Sequence, residues 1–222
     1  MINPIKSALA TLLLLTSLSA KESVSDEILN KMIDVYGGEK NIIKMNSYEQ
    51  VWLIEAKAGS SNGSDHRRVS LPSSLSTELT YPDKKETRTL INGYGVKEFG
   101  DKKVVAKGPM LDAMKLQLMR LYNPLVLKNR AENIELGSDD ANYILTLKEG
   151  ELETKYFVSK REYLIEKVVG KLSFGAKSME FVTLYKDYEK QEGVMMPTTE
   201  VKYAGEVNTA VMKLQALKAI NN

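Results

Sequence analysis

The sequence has no cysteine and a single histidine, which excludes several kinds of site at once. Without thiols the chain forms no disulfide and no thiolate metal centre, and a zinc site would have to be built largely from carboxylates, which suit harder cations. Asp139, Asp140 and Asp187 do not match the spacing of a calcium-binding loop. We therefore expect neither a metal nor a cofactor.

The sequence also lacks an excess of charge of one sign and a long apolar run. The 31 lysines and arginines nearly balance the 29 aspartates and glutamates, and both signs are scattered along the chain. Nucleic-acid binding usually needs a basic face, which this even scatter does not provide. No apolar segment approaches the roughly 20 residues of a membrane-spanning helix. We expect a protein that neither binds nucleic acid nor spans a membrane.

The longest apolar run lies close to the amino end, at residues 8–15. It follows Lys6 and is itself followed by Leu18-Ser19-Ala20, an order that is typical of a secretory signal peptide and its cleavage site. We predict a signal peptide at residues 1–20 and a single domain at residues 21–222. Because no cysteine is available to carry a lipid, the expected product is a soluble, non-lipidated protein of the periplasm.

Beyond this leader the apolar residues follow two different periods. Between residues 25 and 36 they recur every three or four positions, which predicts an amphipathic helix ended by Gly37-Gly38. From Tyr48 onwards the period is mostly two, which predicts strands with one exposed side, separated by turns such as Asn92-Gly93. A second amphipathic helix is predicted in the segment 109–127, ended by Asn123-Pro124.

The fold class that follows is mainly β (α+β). About ten one-sided strands make a sheet that must curl or close as its twist accumulates, and the helices supply matching apolar stripes. We predict a curved antiparallel half-barrel with two or three amphipathic helices covering its concave face. The space between sheet and helices could be packed, as in a structural domain, or partly hollow, as in a protein that binds an apolar ligand.

Three segments, in this order, resemble a known group of exported proteins. Residues 36–38, Tyr-Gly-Gly, close the first helix, and the second helix ends in residues 121–127, Leu-Tyr-Asn-Pro-Leu-Val-Leu. Near the carboxyl end, Tyr-Lys-Asp-Tyr at 185–188 precedes Gly-Val-Met-Met-Pro at 193–197. The set is similar to the outer-membrane lipoprotein carrier (LolA/LolB-like) superfamily, in which a Y-x-D-Y and G-V-x-x-P hairpin is common.

The resemblance implies a half-barrel whose helices cover a cavity for lipid acyl chains, and no catalysis. The expected partners are the acyl chains of lipids or lipoproteins, and they could include a membrane-bound donor or acceptor complex; the protein itself is expected to be a monomer. The absence of an N-terminal lipidated cysteine is typical of the soluble carriers rather than the membrane-attached acceptors. In those carriers an arginine ties the helical lid to the sheet. Arg67 and Arg68 are the candidates for this arginine here, and no motif distinguishes between them.

Candidate ligand contacts are the apolar residues on the faces predicted to meet across the cavity. The methionines of the second helix have flexible side chains that suit a lid, although such a stripe is also typical of core packing. The indole of Trp52 could line a cavity or fill the core. The predicted contacts are Trp52, Ile54, Met114, Leu118, Leu121, Tyr156 and Phe181.

Two other classes of function stay open at this point. The first is a packed half-barrel that acts as a structural or protein-interaction module of the cell envelope. The second is a lipid or cell-wall hydrolase that uses His66, although no G-x-S-x-G pattern accompanies this histidine and a solvated loop position explains it more simply. Gly93 and Gly95 do not complete a phosphate-binding loop and indicate a tight turn instead.

Overall fold

The computed structural model describes residues 24–59, 61–175 and 177–220, so the predicted signal peptide at 1–20 lies outside the described residues. Within these ranges, thirteen strands form one open antiparallel sheet, accompanied by four α-helices. The mainly β, antiparallel prediction is confirmed, whereas the estimate of about ten strands was too low. The strands β6 and β7, given below, lack apolar alternation because they lie at the two exposed edges of the sheet.

The helices are α1 (Val24–Val35), α2 (Glu39–Lys44), α3 (Pro109–Met119) and α4 (Pro124–Lys128). The first six strands are β1 (Ser47–Ala56), β2 (Gly63–Ser70), β3 (Ser74–Tyr81), β4 (Lys84–Ile91), β5 (Tyr94–Phe99) and β6 (Lys102–Val105). The other seven are β7 (Ile134–Ser138), β8 (Asn142–Glu149), β9 (Leu152–Ser159), β10 (Ile165–Phe174), β11 (Lys177–Gln191), β12 (Val194–Ala204) and β13 (Val207–Ala219).

The chain begins its sheet in the middle and finishes there. Strands β1 to β6 run outward to one edge, the helices α3 and α4 follow, and strands β7 to β13 return from the opposite edge until β13 pairs with β1. The connection from β6 to β7 must therefore cross one face of the sheet. This face carries α3, and we refer to it as the concave face.

The contacts of α3 require the sheet to curve. This helix of 11 residues contacts β4 and β5 on one side and β9 and β10 on the other. At about 4.8 Å per strand, the seven steps from β4 to β10 would span roughly 34 Å in a flat sheet, whereas the helix is only about 16 Å long. The strands on either side must bend towards each other, which gives the predicted half-barrel shape.

Two glycines allow α3 to approach the sheet closely. A Cβ atom added to Gly170 of β10 would lie 2.8 Å from Cγ of Leu116, and one added to Gly95 of β5 would lie 3.0 Å from Sδ of Met114. Both distances are shorter than normal carbon contacts, so a larger residue would push the helix away. The glycines thus determine how deeply α3 sits in the curve of the sheet.

The segment predicted as one helix to residue 123 is two helices. Helix α3 ends at Met119, and the side chain of Asn123 then accepts a hydrogen bond of 2.9 Å from the backbone N–H of Val126, so that it caps α4. Pro124 occupies the first position of α4, where its missing N–H costs nothing. The Asn-Pro pair therefore starts a new helix as well as separating it from the previous one.

The first and last of the three segments noted in the sequence meet in space. Helix α1 is amphipathic as predicted, and Gly37 after it adopts a φ of 115°. The carbonyl of Tyr36 accepts a 3.0 Å hydrogen bond from the N–H of Met195, and the hydroxyls of Tyr36 and Tyr188 lie 3.3 Å apart. Tyr188 also donates to the carbonyl of Ile165 at 2.6 Å. These contacts fasten the end of α1 to β10, β11 and β12.

The main core lies between the helices and the concave face. It combines residues of α1, α3 and α4 with inward residues of β8, β9 and β10; fully buried members are Leu29, Met32, Leu116, Met119, Leu127, Leu145, Leu147 and Tyr156. Much of the predicted hollow is therefore filled by side chains. Among the described residues, no helix combines the length and the apolar character that crossing a membrane requires.

Candidate ligand-binding site in the concave face

A small apolar cavity lies beneath the turn that joins α3 to α4. Its volume is about 70 Å³, and its floor belongs to β1, β11 and β12. Aromatic and aliphatic side chains dominate the lining, which includes Tyr36, Tyr48, Leu121, Tyr185, Tyr188 and Met196. We call this space the apolar cavity.

A second and larger space lies on the other side of the end of α3. Its volume is about 260 Å³, and the sheet beneath it contributes Arg67, Lys202 and Met212. Arg120, Leu121 and Tyr185 line this space as well as the apolar cavity, so the turn that follows α3 separates the two. We call the larger space the charged cavity, because four basic side chains line it: Arg67, Arg88, Arg120 and Lys202.

A buried ion pair joins the two halves of the sheet under the charged cavity. The guanidinium of Arg67 on β2 donates two hydrogen bonds of 3.0 Å to the carboxylate of Glu200 on β12, and a third of 2.6 Å to Asp65. The side chains of Arg67 and Glu200 are only 3% and 2% exposed. Arg67 also lies 5.1 Å from the ring of Trp52. The pair therefore bridges the junction of β1 and β13, where the two meanders meet.

The charges around Glu200 determine its ionisation and that of its neighbours. Burial would raise the pKa of Glu200, but Arg67 and Lys202 outweigh it and lower the pKa to about 2. Burial lowers the pKa of Lys202 to about 8, despite its 2.6 Å contact with Glu200, and the charges of Arg67 and Arg120 contribute to this lowering. Burial also opposes the charge of Arg67, but Asp65 and Glu200 raise its pKa overall.

Arg120 differs from Arg67 in having no carboxylate partner among the described residues. Its Nη1 donates a long hydrogen bond of 3.5 Å to the hydroxyl of Thr183, and its Nε atom is buried without a partner within the described part of the chain. Burial lowers the pKa of Arg120. The ring of Phe181 lies 5.8 Å away and offers weak cation–π contact. Arg120 therefore places an incompletely satisfied guanidinium between the two cavities.

Two tyrosines of the sheet hold the end of α3. The hydroxyl of Tyr156 donates to the carbonyl of Met119 at 2.6 Å, and that of Tyr185 donates to the carbonyl of Arg120 at 2.8 Å. The last carbonyls of a helix lack partners within it, so these hydroxyls satisfy groups that would otherwise be buried without a hydrogen bond. Burial raises the pKa of both tyrosines, which keeps the hydroxyls protonated as donors.

The predicted contact residues do not form one group. Ile54 and Leu121 line the charged cavity, and Leu121 also lines the apolar cavity. Leu118 lies at a wider depression of about 500 Å³ on the other flank of α3.

The other four lie in or beside the core. Met114 and Tyr156 are buried in the main core, and Phe181 is half-buried beside Arg120. Trp52 is fully buried, packs with Ile54 and Met212, and donates to the side chain of Gln50. A role of these residues in ligand binding stays a prediction.

Among the charged residues of the concave face, only Arg67 was a candidate from the sequence, as the arginine that ties the lid to the sheet. Asp65, Arg120, Glu200 and Lys202 were not predicted, because apolar alternation does not select charged side chains. Asp65, Arg67 and Val69 occupy alternate positions of β2 and all are buried, so they lie on its inward face. The intervening residues His66 and Arg68 are exposed on the opposite face. His66 thus lies within β2, which begins at Gly63, and not in the loop where it was expected.

No group of three or more aspartate, glutamate or histidine side chains in the described residues is arranged to hold a metal ion. His66 is exposed on the outer face of the sheet, opposite the two cavities.

No family model matches the chain, and no curated protein matches its sequence. Solved structures are similar in fold. A LolA superfamily protein from Nitrosomonas europaea superposes with a TM-score of 0.58 and 11% identity, covering 90% of this chain and 96% of the other. A putative outer membrane lipoprotein-sorting protein domain from Vibrio parahaemolyticus gives a TM-score of 0.50 and 7% identity, with 87% and 91% covered.

The chain therefore has a LolA-like fold, and the resemblance of its three short segments to that superfamily is confirmed at the level of the fold.

Proposed function

We propose that the protein binds lipid acyl chains, free or attached to lipoproteins, and carries them through the periplasm without catalysing a reaction. The observation that supports this most directly is the pair of cavities on the concave face, separated by Arg120 and Leu121 of the turn that follows α3. The LolA-like fold adds support. The absence of a membrane-spanning helix among the described residues is compatible with a carrier that leaves the membrane.

Binding would require the turn after α3 to move. The apolar cavity, at about 70 Å³, is too small for a long chain until Leu121 withdraws and the two cavities merge. Releasing the hydroxyls of Tyr156 and Tyr185 from α3 costs about 1 kcal/mol per hydrogen bond. Burying ten methylene groups would contribute about 8 kcal/mol. The free energy gained by burying the acyl chain exceeds the cost of breaking these hydrogen bonds. Because opening the turn lowers the net affinity, the chain can still be released to an acceptor.

The dense core favours a second function. Leu116, Met119, Leu127 and Tyr156 fill the centre of the concave face and are essentially inaccessible to solvent. If α3 never moves, the fold is a packed half-barrel that acts as a structural or protein-interaction module of the cell envelope, and it takes up no lipid.

Lipid uptake separates these two functions. We expect native mass spectrometry of the gently purified protein to show bound lipid, and a neutral apolar fluorophore, N-phenyl-1-naphthylamine, to gain fluorescence on binding. Leu121→Trp should fill the space between the cavities and abolish the gain. The matched control is Leu53→Trp, because Leu53 is exposed on the outer face of β1. Absence of both lipid and fluorophore binding in the wild type would contradict the carrier function and favour the packed module.

A further inference from the structure

Two partly buried cations, Arg120 and Lys202, converge at the charged cavity without enough carboxylates to balance them. Lys202 Nζ lies 3.3 Å from the hydroxyl of Thr183, and Arg120 Nη1 lies 3.5 Å from the same oxygen. A neutral hydroxyl thus stands between two like charges. In a partly desolvated space this arrangement is unfavourable unless a negative group can join it.

Most of the remaining charges of the cluster are already paired. Glu200 receives both hydrogen bonds from Arg67 as well as the contact with Lys202. Arg67 binds Oδ2 of Asp65, whereas Oδ1 of Asp65 is buried without a partner among the described residues. Arg88, which also lines the cavity, is paired with Glu86. Arg67, Arg120 and Lys202 face Asp65 and Glu200, which leaves one positive charge in excess. Arg120 is the member of this set that forms no ion pair within the described residues.

This cluster of charged side chains lines an unfilled cavity. The charged cavity, about 260 Å³, has Arg120 at its roof and Lys202 on its floor, and Leu121 divides it from the apolar cavity. A molecule with an anionic end and an apolar tail would match the charged cavity at one end and the apolar cavity at the other. The anion would meet the two cations, and the tail would pass Leu121.

We propose that the charged cavity binds the anionic end of an acyl lipid, a carboxylate or a phosphate monoester, with Arg120 and Lys202 as the contacting cations. Arg67 is a positioning residue here, because Asp65 and Glu200 already hold its guanidinium. Oxygen atoms of the ligand would give Nη1 of Arg120 a charged acceptor in place of its long hydrogen bond to the Thr183 hydroxyl. This inference rests on the proposed function, since it specifies which acyl lipids the carrier would prefer.

The test compares lipids that share a palmitoyl chain and differ in the end group, which is anionic in two of them and neutral in the third. N-phenyl-1-naphthylamine, which is neutral, is first bound, and then displaced by palmitate, methyl palmitate or palmitoyl lysophosphatidic acid. We expect the better of the two anionic lipids to compete at a concentration about tenfold lower, or more, than that needed with the methyl ester. Whichever anion competes better identifies carboxylate or phosphate as the preferred group.

Variants assign this preference to residues. Arg120→Met and Lys202→Met should each remove most of the difference between acid and ester, and Arg120→Lys should restore part of it. Lys213→Met is the matched control, because Lys213 follows Met212 on β13 and points to the opposite face, where its side chain is 53% exposed. Circular dichroism and the fluorescence of Trp52 establish that each variant is folded. Equal competition by all three lipids in the wild type, or an unchanged preference in folded Arg120→Met and Lys202→Met, would overturn the proposal.

A second measurement separates failure of the subsite from failure of the carrier function. If the neutral fluorophore does not bind, the carrier function is contradicted, and the anion site is then tested alone by the thermal stability of the protein in inorganic phosphate. Stabilisation of the wild type and of Lys213→Met, but not of Arg120→Met, supports the anion site. Equal responses of all three proteins at matched ionic strength contradict it.

Discussion

Removing Arg67 or Glu200 singly should destabilise the protein far more than the loss of either contact alone suggests. The two side chains are almost completely buried and share two hydrogen bonds of 3.0 Å. With charge centres about 4 Å apart, their attraction is about 4 kcal/mol at an effective dielectric constant of 20. A single deletion leaves the other charge buried without its main partner, for which losses of about 3–5 kcal/mol are typical.

We expect Arg67→Met and Glu200→Leu each to lower the free energy of unfolding by about 3–5 kcal/mol. The double variant should lose at least about 2 kcal/mol less than the sum of the two, because the second substitution removes a charge that the first had stranded. It should not recover the wild-type stability fully, since Asp65 then still lacks its partner.

Urea unfolding followed by tryptophan fluorescence suits this measurement. Trp52 is the only tryptophan in the sequence, is fully buried and lies under Arg67. The same cycle on the ion pair of Arg68 and Glu49, on the outer face, is the control, and a coupling below about 1 kcal/mol is expected there. Effects of Arg67→Met and Glu200→Leu that add within about 0.5 kcal/mol would refute the reasoning.

Three further predictions concern acid stability and the seating of α3. The pKa of Glu200 is about 2 in the folded protein and 4.5 ordinarily, so its ionisation stabilises the fold fully above pH 4.5, and this stabilisation is lost as the pH falls towards 2. The loss amounts to about 3 kcal/mol in the free energy of unfolding. It should be missing in Glu200→Gln when unfolding is measured against pH. Gly170→Ala should lower stability by about 1–3 kcal/mol through its clash with Leu116, whereas Gly137→Ala, whose Cβ would meet Ile144 at 3.8 Å, should cost less than about 1 kcal/mol in urea unfolding. Tyr156→Phe should cost about 1–3 kcal/mol by leaving the carbonyl of Met119 without its donor, and unchanged thermal unfolding would contradict the role assigned to that hydroxyl.

Local patterns in the sequence predicted the elements that show regular apolar alternation or are bounded by clear turn residues. The inward residues of β1 and the turn at Asn92-Gly93 follow from nearest-neighbour chemistry, since both residues of that turn adopt a positive φ that Asn and Gly tolerate. The edge strands β6 and β7 escaped prediction because an exposed strand has no reason to alternate. The break between α3 and α4 was misjudged because the Asn-Pro pair starts α4 and does not end α3, which stops at Met119.

The candidate site was less predictable than the fold. The structure places Asp65 and Arg67 together on the inward face of β2, but the carboxylate of Glu200 that balances Arg67 lies 133 residues further along the chain. Nothing local to either position indicates the other. The apolar residues chosen from the sequence mostly fill the core, because alternation reports which side is buried and cannot report how completely the space there is filled.

The sequence by itself determined a mainly β chain with one-sided strands, amphipathic helices and no thiol chemistry, because period, turn residues and composition act over a few neighbouring positions. The tertiary structure alone decided that β13 returns to β1, that Arg67 meets Glu200 across that junction, and that Arg120 is left between two cavities. These are consequences of closing long loops and bending a sheet around a helix, and the free energy involved is shared among residues far apart in the chain.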